Sequence, residues 1–318
     1  MNRVAVLKGG GSLERQVSLR SGARVEDALE RLGHRVTGVD VGPDLVARLR
    51  AAAPELAFVV LHGRDGEDGT VQSLLEVLGV PYTGSGISAC MRCSDKIVAK
   101  HALLDAGLPT PDFQPFSETA FRELGAADAL GAIEERLAFP IVVKPADQGS
   151  ALGIRFARTP ADVPAAIVAA FSYSSRVLLE RHVHGRDLAV TVLGAEALPV
   201  VEAVPRAEDF YDFEARYTIG RTSFVCPAEL TPALTARAQS LATDAARLLG
   251  CRGLARVDLM LEEDTQELFV LEVNVIPGLT DTSLAPQAAE AAGIDFDGLI
   301  ARIVELAAAP AAAARSPA

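Results

Sequence analysis

Three short apolar runs, VAVLKGG (residues 4–10), RVTGVDV (35–41) and LAFVVLHG (56–63), recur through the first ninety residues with helical stretches between them. Strands that alternate with helices become parallel neighbours through crossover connections, so this segment is expected to form an α/β layer with a mostly parallel sheet. Gly33 closes the first helix, and another is expected from Thr70 to Gly79. The chain of 318 residues, 49% of them hydrophobic, can hold two or three cored domains. Its net charge of -12 would repel nucleic acid and anionic membrane surfaces, which leaves a small molecule as the expected partner. No apolar run reaches the roughly 18 residues of a membrane span, and MNRVAVLKGG opens on a strand rather than a signal peptide, so a cytoplasmic protein is expected.

Beyond residue 93 the pattern changes to α+β. Ser94 is the expected cap of a helix that carries Lys96 in its first turn and stops at Gly107, ahead of the Pro109–Pro115 stretch. FPIVVKP and GIRFAR read as strands joined by a glycine-bearing loop, followed by a helix with Thr159 as cap and Pro160 first inside it. A third segment holds a helix from Thr231–Pro232 to Gly250 and a hairpin of ARVDLML and ELFVLEVNV. The expected units are 1–93, 94–180 and 181–306, with a disordered low-complexity tail over 307–318.

That hairpin carries unusual chemistry for apolar strands. Asp258 and Glu272 each stand seven residues from Thr265, so a symmetric register sets them opposite one another and Arg256 opposite Asn274. Residues two apart share a face, which places three oxygen donors and a guanidinium together. Two carboxylates held that close suit a hard cation such as Mg²⁺ or Mn²⁺ completed by phosphates; a solvated face with ordinary salt bridges is the other reading. Phosphate handling has further candidates. Lys144 ends a strand before ADQGSALG, where Gly149 and Gly153 flank Ser150, and Lys96 lies at a helix N-terminus. The P-loop and dinucleotide glycine patterns are absent. Gly9–Gly11 follow a strand and lead into a helix near Glu14, suiting a small anionic or zwitterionic ligand, while His62 ends LAFVVLH as a site or turn residue. The four cysteines form no disulfide framework, Cys90 and Cys93 lack further zinc ligands, and HVH at 182–184 reads as solvent-facing strand histidines in preference to a metal pair.

Taken in order, AVLKGGGSLERQVSLRSG, LHGRDGEDGTVQ, PYTGSG, SDK, PIVVKP with QGSALG, FYDFEARY, ARVDLML and LEVNVIPGLTDTSL resemble the D-alanine–D-alanine ligases of the ATP-grasp superfamily, from residue 4 to about 306. The resemblance implies a three-domain ATP-grasp fold and formation of D-alanyl-D-alanine from two D-alanines and ATP, for peptidoglycan precursors, in a cytoplasmic homodimer. It implies that Asp258, Glu272 and Asn274 hold two Mg²⁺ (or Mn²⁺), that Lys96 and Lys144 contact phosphates, and that the Gly149–Ser150 loop closes over them. Glu180 with the backbone of Arg181, His182 and Val183 would take the adenine, and Asp187 the ribose. Glu14 would receive the ammonium of the first D-alanine, with His62 near its carboxylate. Arg256 and the Gly278 N–H would hold the oxyanion, Ser283 and Leu284 the second carboxylate, and Tyr217 would link Ser150 and Glu14 from a loop that also carries Arg216 beside the nucleotide. Ala151, His182, Asp187 and Arg216 depart from the residues usual there. D-lactate or D-serine as second substrate, or a binding protein without catalysis, are the alternatives.

Overall fold

The computed structural model describes residues 2–125, 130–205 and 222–308. Arg216, Tyr217 and the tail from residue 309 onward therefore lie outside the described residues. The elements run β1 (Arg3–Lys8), α1 (Arg15–Arg31), β2 (Arg35–Asp40), α2 (Leu45–Ala52), β3 (Leu56–Val59), α3 (Thr70–Val77), α4 (Ile87–Ser94), α5 (Lys96–Asp105), β4 (Phe113–Ser117), α6 (Glu118–Glu123) and α7 (Gly131–Glu134). They continue as β5 (Ile141–Pro145), β6 (Arg155–Ala157), α8 (Val163–Phe171), β7 (Arg176–Arg181), β8 (Gly185–Leu193), β9 (Glu196–Ala197), β10 (Val201–Pro205) and β11 (Thr222–Val225). The last are α9 (Pro232–Leu249), β12 (Leu254–Glu262), β13 (Leu268–Asn274), α10 (Leu284–Ala291) and α11 (Phe296–Ala308).

The first sheet, in the order β2-β1-β3, is wholly parallel, as the opening alternation predicts. Its inner strand β1 and the neighbouring β3 are buried on both faces, Ala5 and Leu7 joining one core and Val4 and Val6 the other, while β2 is the more exposed edge. α1 packs on β1 and β2, and α11 returns from the far end of the chain to lie against α1. The second sheet, β4-β7-β5-β6, is antiparallel and keeps its own core with α8, built around Ile141, Val143, Ile167 and Leu179. The third, β11-β10-β8-β12-β13 with β9 beside β8, shares cores with the first sheet on both of its faces. Among the described residues no helix is long and apolar enough to cross a membrane.

Local signals set most boundaries. Thr231 accepts a hydrogen bond from the Leu234 N–H, Pro232 occupies the first position of α9, and Gly250 closes it at φ +82°. Thr159 and Asp162 form a capping box before α8. Two expectations need correction. Ser94 is the last residue of α4, and the cap of α5 is Asp95, whose carboxylate accepts from the N–H groups of Ile97 and Val98 at 3.0 and 3.2 Å. A carboxylate suits that position better because it also answers the positive end of the helix. Residues 182–184 form the link between β7 and β8 instead of a strand; His182 is half-buried with its ring edge-on to Phe156, and only His184 faces solvent.

Candidate active site

The hairpin of β12 and β13 supplies the centre of the site. Arg256 pairs with Asn274 and Asp258 with Glu272, the register symmetric about Thr265. Nearer the turn the register slips by one, because Leu271 bulges out between Val270 and Glu272. A bulge re-aims the side chains beside it, and here it falls directly beside a carboxylate pair. Arg256 grips Asp258 with two hydrogen bonds of 2.6 and 2.9 Å, and Lys96 Nζ from the first turn of α5 lies 3.1 Å from Glu272 Oε2. Asn274 Oδ1 accepts from the Ile276 N–H at 2.9 Å, turning the chain out of β13 into the Pro277–Gly278 loop.

Two cavities meet at this hairpin. The larger, about 1290 Å³, runs between the second and third sheets and is lined by Lys144, Glu180, the 181–183 link, Asp187 and Asp258. The smaller, about 500 Å³, is lined by Glu14, Gly149, Ser150, Arg256, Asn274, Gly278 and Ser283. Lys96, Gln148, Glu272 and Leu284 line both, so the same ion pair borders the two cavities.

Residues of the smaller cavity are held by all three sheets. Glu14 and His62 follow β1 and β3, at the carboxyl ends of adjacent parallel strands, where open α/β sheets bind their ligands. Ser12 Oγ donates to the His62 carbonyl at 2.7 Å and accepts from the Glu14 N–H, tying the two strand ends together. Glu14 makes no cap bond to α1; its carboxylate accepts a short hydrogen bond from the Ser150 hydroxyl, across from the second sheet. Ser150 and Ala151 both take left-handed backbone angles, φ +53° and +58°. Each such residue costs about 1–3 kcal/mol, and strain of this kind gathers at binding loops. A Cβ at Gly149 would stand 3.3 Å from a Glu14 oxygen, so the close approach of loop and carboxylate uses that glycine. Gly278 is tighter still: its Cβ would meet Ser283 Oγ at 2.7 Å. Ser283 Oγ accepts from the Thr280 N–H, and Arg24 with Ser21 of α1 hold the loop through the Leu279 carbonyl and N–H.

The larger cavity is floored by a buried charge cluster. Glu180, 2% exposed, is paired with Lys144 on one oxygen and with Lys100, 2.6 Å away, on the other. Burial alone would raise the Glu180 carboxyl, but the Lys100 and Lys144 ammoniums outweigh it and hold it below the usual carboxylate range. Burial brings Lys100 down to about 8, against the pull of Glu180, so both groups are charged at neutral pH.

The family model described as D-ala D-ala ligase C-terminus matches residues 103–305, and that described as D-ala D-ala ligase N-terminus matches 44–85. The D-alanine–D-alanine ligase of Gloeobacter violaceus is 42% identical over 309 residues, covering 95% of this chain and 98% of the relative. That of Desulforudis audaxviator is 45% identical over 311 residues, covering 96% and 99%. The crystal structure of the Bacillus anthracis ligase complexed with ATP aligns at a TM-score of 0.81 and 30% identity, over 96% of this chain and 97% of that one. The chain belongs to the D-alanine–D-alanine ligase family.

As a member of this ligase family the chain has the ATP-grasp fold, with the parallel sheet at its N-terminus. Nearly every described candidate lines one cavity or both. His62 lies just behind the smaller one, 4% exposed, with Nε2 lacking any hydrogen-bond partner among the described residues. The Arg181 side chain turns away to Glu262, at 2.7 Å, and the Phe269 ring, leaving its backbone to the cavity. Three charged residues in or behind the cavities escaped the sequence reading. Lys100 needed the pairing with Glu180, 80 residues on, to be noticed. Arg176 pairs with Asp95 and lines the smaller cavity. Glu67 lies 3.7 Å from His62 Nδ1; burial pushes its carboxyl up, His62 opposes this, and Glu14 adds to it. The CxxC pair is not a pair: Cys93 Sγ faces Cys251 Sγ at 3.7 Å, and burial pushes the Cys90 thiol up to about 12.

Proposed function

We propose that this chain condenses two D-alanines into D-alanyl-D-alanine, converting ATP to ADP and phosphate through an acyl phosphate. The observation that carries the reading is the junction of the two cavities at Glu272 and Lys96, where a phosphate chain in one would touch a carboxylate in the other. Lys96 and Lys144 would neutralise the triphosphate, Gly149 and the Ser150 loop would close over it, Glu180 and the Arg181–His182–Val183 backbone would take the adenine, and Asp187 the ribose. Glu14 would receive the first ammonium, with Ser150 bonded to it and His62 beside the substrate carboxylate.

The donor set fits a pair of divalent cations. Asp258 and Glu272 stand opposite each other with Asn274 two residues on, all hard oxygen ligands, and each carboxylate is already met by a cationic side chain, Arg256 or Lys96. Two Mg²⁺ (or Mn²⁺) held there would supply charge neutralisation between the phosphates. Among the described residues no three His, Cys, Asp or Glu side chains gather as a metal cluster; the set here is two carboxylates with the Asn274 amide oxygen.

The first carboxylate attacks the γ-phosphorus and ADP departs. The amine of the second D-alanine, having lost its proton, then attacks the acyl carbon and phosphate leaves. Arg256 and the Gly278 N–H would hold the tetrahedral oxyanion, each donor contributing on the order of 3–4 kcal/mol in comparable sites. Ser283 and Leu284, at the start of α10, would take the second carboxylate. Units of 1–93, 94–180 and 181–306, a homodimer and a cytoplasmic location belong to the same proposal.

Phosphate release from ATP and Mg²⁺ with D-alanine, products identified by mass, tests it. Release with dipeptide formation is expected, and none with L-alanine. Turnover only when D-lactate or D-serine is added would reassign the second substrate; no turnover in any mixture would overturn the ligase reading in favour of a binding protein.

A further inference from the structure

Glu180 has two ammonium partners, and they are not equivalent. Lys144 lines the larger cavity from the end of β5. Lys100 lies behind the carboxylate, 1% exposed, one turn along α5 from Lys96. Its Nζ donates to Thr110 Oγ1, whose hydroxyl donates in turn to the Val270 carbonyl at 2.8 Å, and it sits 5.0 Å from the centre of the Phe113 ring. The same ammonium stands 2.6 Å from Glu180 Oε2, so Lys100 serves Thr110 and the carboxylate together. Lys144 borders the cavity, whereas Lys100 is anchored away from it by Thr110.

A phosphate arriving in that cavity would compete with Glu180 for Lys144. If Lys144 were the only partner, its departure would strand an unpaired carboxylate in the protein interior, and that penalty would subtract from nucleotide affinity. We propose that Lys100 is a positioning residue of the nucleotide site: it remains the counter-ion of Glu180 while Lys144 exchanges that carboxylate for a nucleotide phosphate. The inference rests on the larger cavity being the ATP site.

The test compares ADP with adenosine, which has no phosphate to draw Lys144 away. Calorimetric titration of both ligands into wild type, Lys100→Gln and Lys100→Met is paired with steady-state kinetics. Expected is about a tenfold loss of ADP affinity and a similar rise in KM for ATP, exceeding any fall in kcat, with adenosine affinity and KM for D-alanine held within about twofold. Lys100→Arg should recover most of the loss. Equal losses for adenosine and ADP, or no loss for either, overturn the proposal. Should neither single variant fold, Lys100→Met is combined with Glu180→Gln, which removes the charge that Lys100 balances. The ADP-to-adenosine affinity ratio should then match that of Glu180→Gln alone, and a ratio lower by about fivefold or more overturns the proposal. Wild-type protein that binds neither ATP nor ADP removes the ATP-site reading, and this inference with it.

Discussion

Glu272 is the residue on which the two cavities turn. Glu272→Gln keeps the shape of the side chain and removes the charge that faces Lys96 and the proposed cations. Ligation should fall by at least about a hundredfold while thermal stability moves by no more than a few degrees, because loss of one charge at a hydrated site does little to the core. Dipeptide formation at saturating Mg²⁺ and a melting curve check both halves; activity within twofold of wild type would exclude the metal role. Gly278→Ala separates shape from charge. The added methyl would stand 2.7 Å from Ser283 Oγ, so either the serine or the loop must move. A fall in kcat of about tenfold to a hundredfold is expected, with KM for ATP unchanged; this is smaller than for outright loss of one oxyanion donor because alanine keeps the N–H and only displaces it. Steady-state kinetics with each substrate varied in turn distinguishes this from a general loss of folding.

At the scale of the element, α5 carries Lys96, which meets Glu272, in its first turn and Lys100, which meets Glu180, in the next. Asp95 starts this helix and also pairs with Arg176 at 2.7 Å. Asp95→Ala removes both contacts. The cap contributes about 1 kcal/mol and the half-exposed ion pair less, so a loss of a few degrees in Tm is expected. Thr231→Ala removes the cap of α9, which carries no site residue, at a similar cost. The two variants should therefore lose similar stability, but only Asp95→Ala should raise KM for ATP. An unchanged KM in Asp95→Ala would show that α5 keeps its lysines in place without its cap. Much of this element was legible: Lys96 at a helix start and Gly107 beyond its end are local signals. Asp95 as cap was missed because Ser94 and Asp95 are both favoured there, and only the end of α4 at Ser94 decides between them.

For the whole molecule, the buried charges set how stability follows pH. Glu180 titrates in the folded protein below its ordinary value, so it adds stability that is full above about pH 5 and is lost as pH falls through its folded-state value. Glu67 acts in the opposite sense. Its folded-state value is raised, so proton uptake favours the fold as pH falls from neutral toward the ordinary carboxylate range. Lys100, at about 8 in the fold, is a burden below that pH that is relieved as pH rises from about 8 to 10. Denaturant midpoints between pH 3 and 7 should therefore fall on the acid side less steeply in Glu180→Gln than in wild type. Parallel curves for the two proteins would mean that Glu180 does not couple folding to protons.

Sequence by itself determined the parallel first sheet, the caps of α9 and α8, the hairpin register that sets Asp258 against Glu272, and a set of candidates of which nearly all the described ones line the two cavities. These are short-range matters of periodicity, turn chemistry and strand pairing, reinforced by eight blocks in family order. Tertiary structure alone decided that Lys100 lies against Glu180, that Glu67 stands beside His62, that α1 holds the Gly278 loop through Ser21 and Arg24, and that Glu272, beside the Leu271 bulge, meets Lys96. Those contacts join positions up to 258 residues apart. They depend on how three sheets pack, and no local pattern of side chains encodes which distant charge will be buried against which.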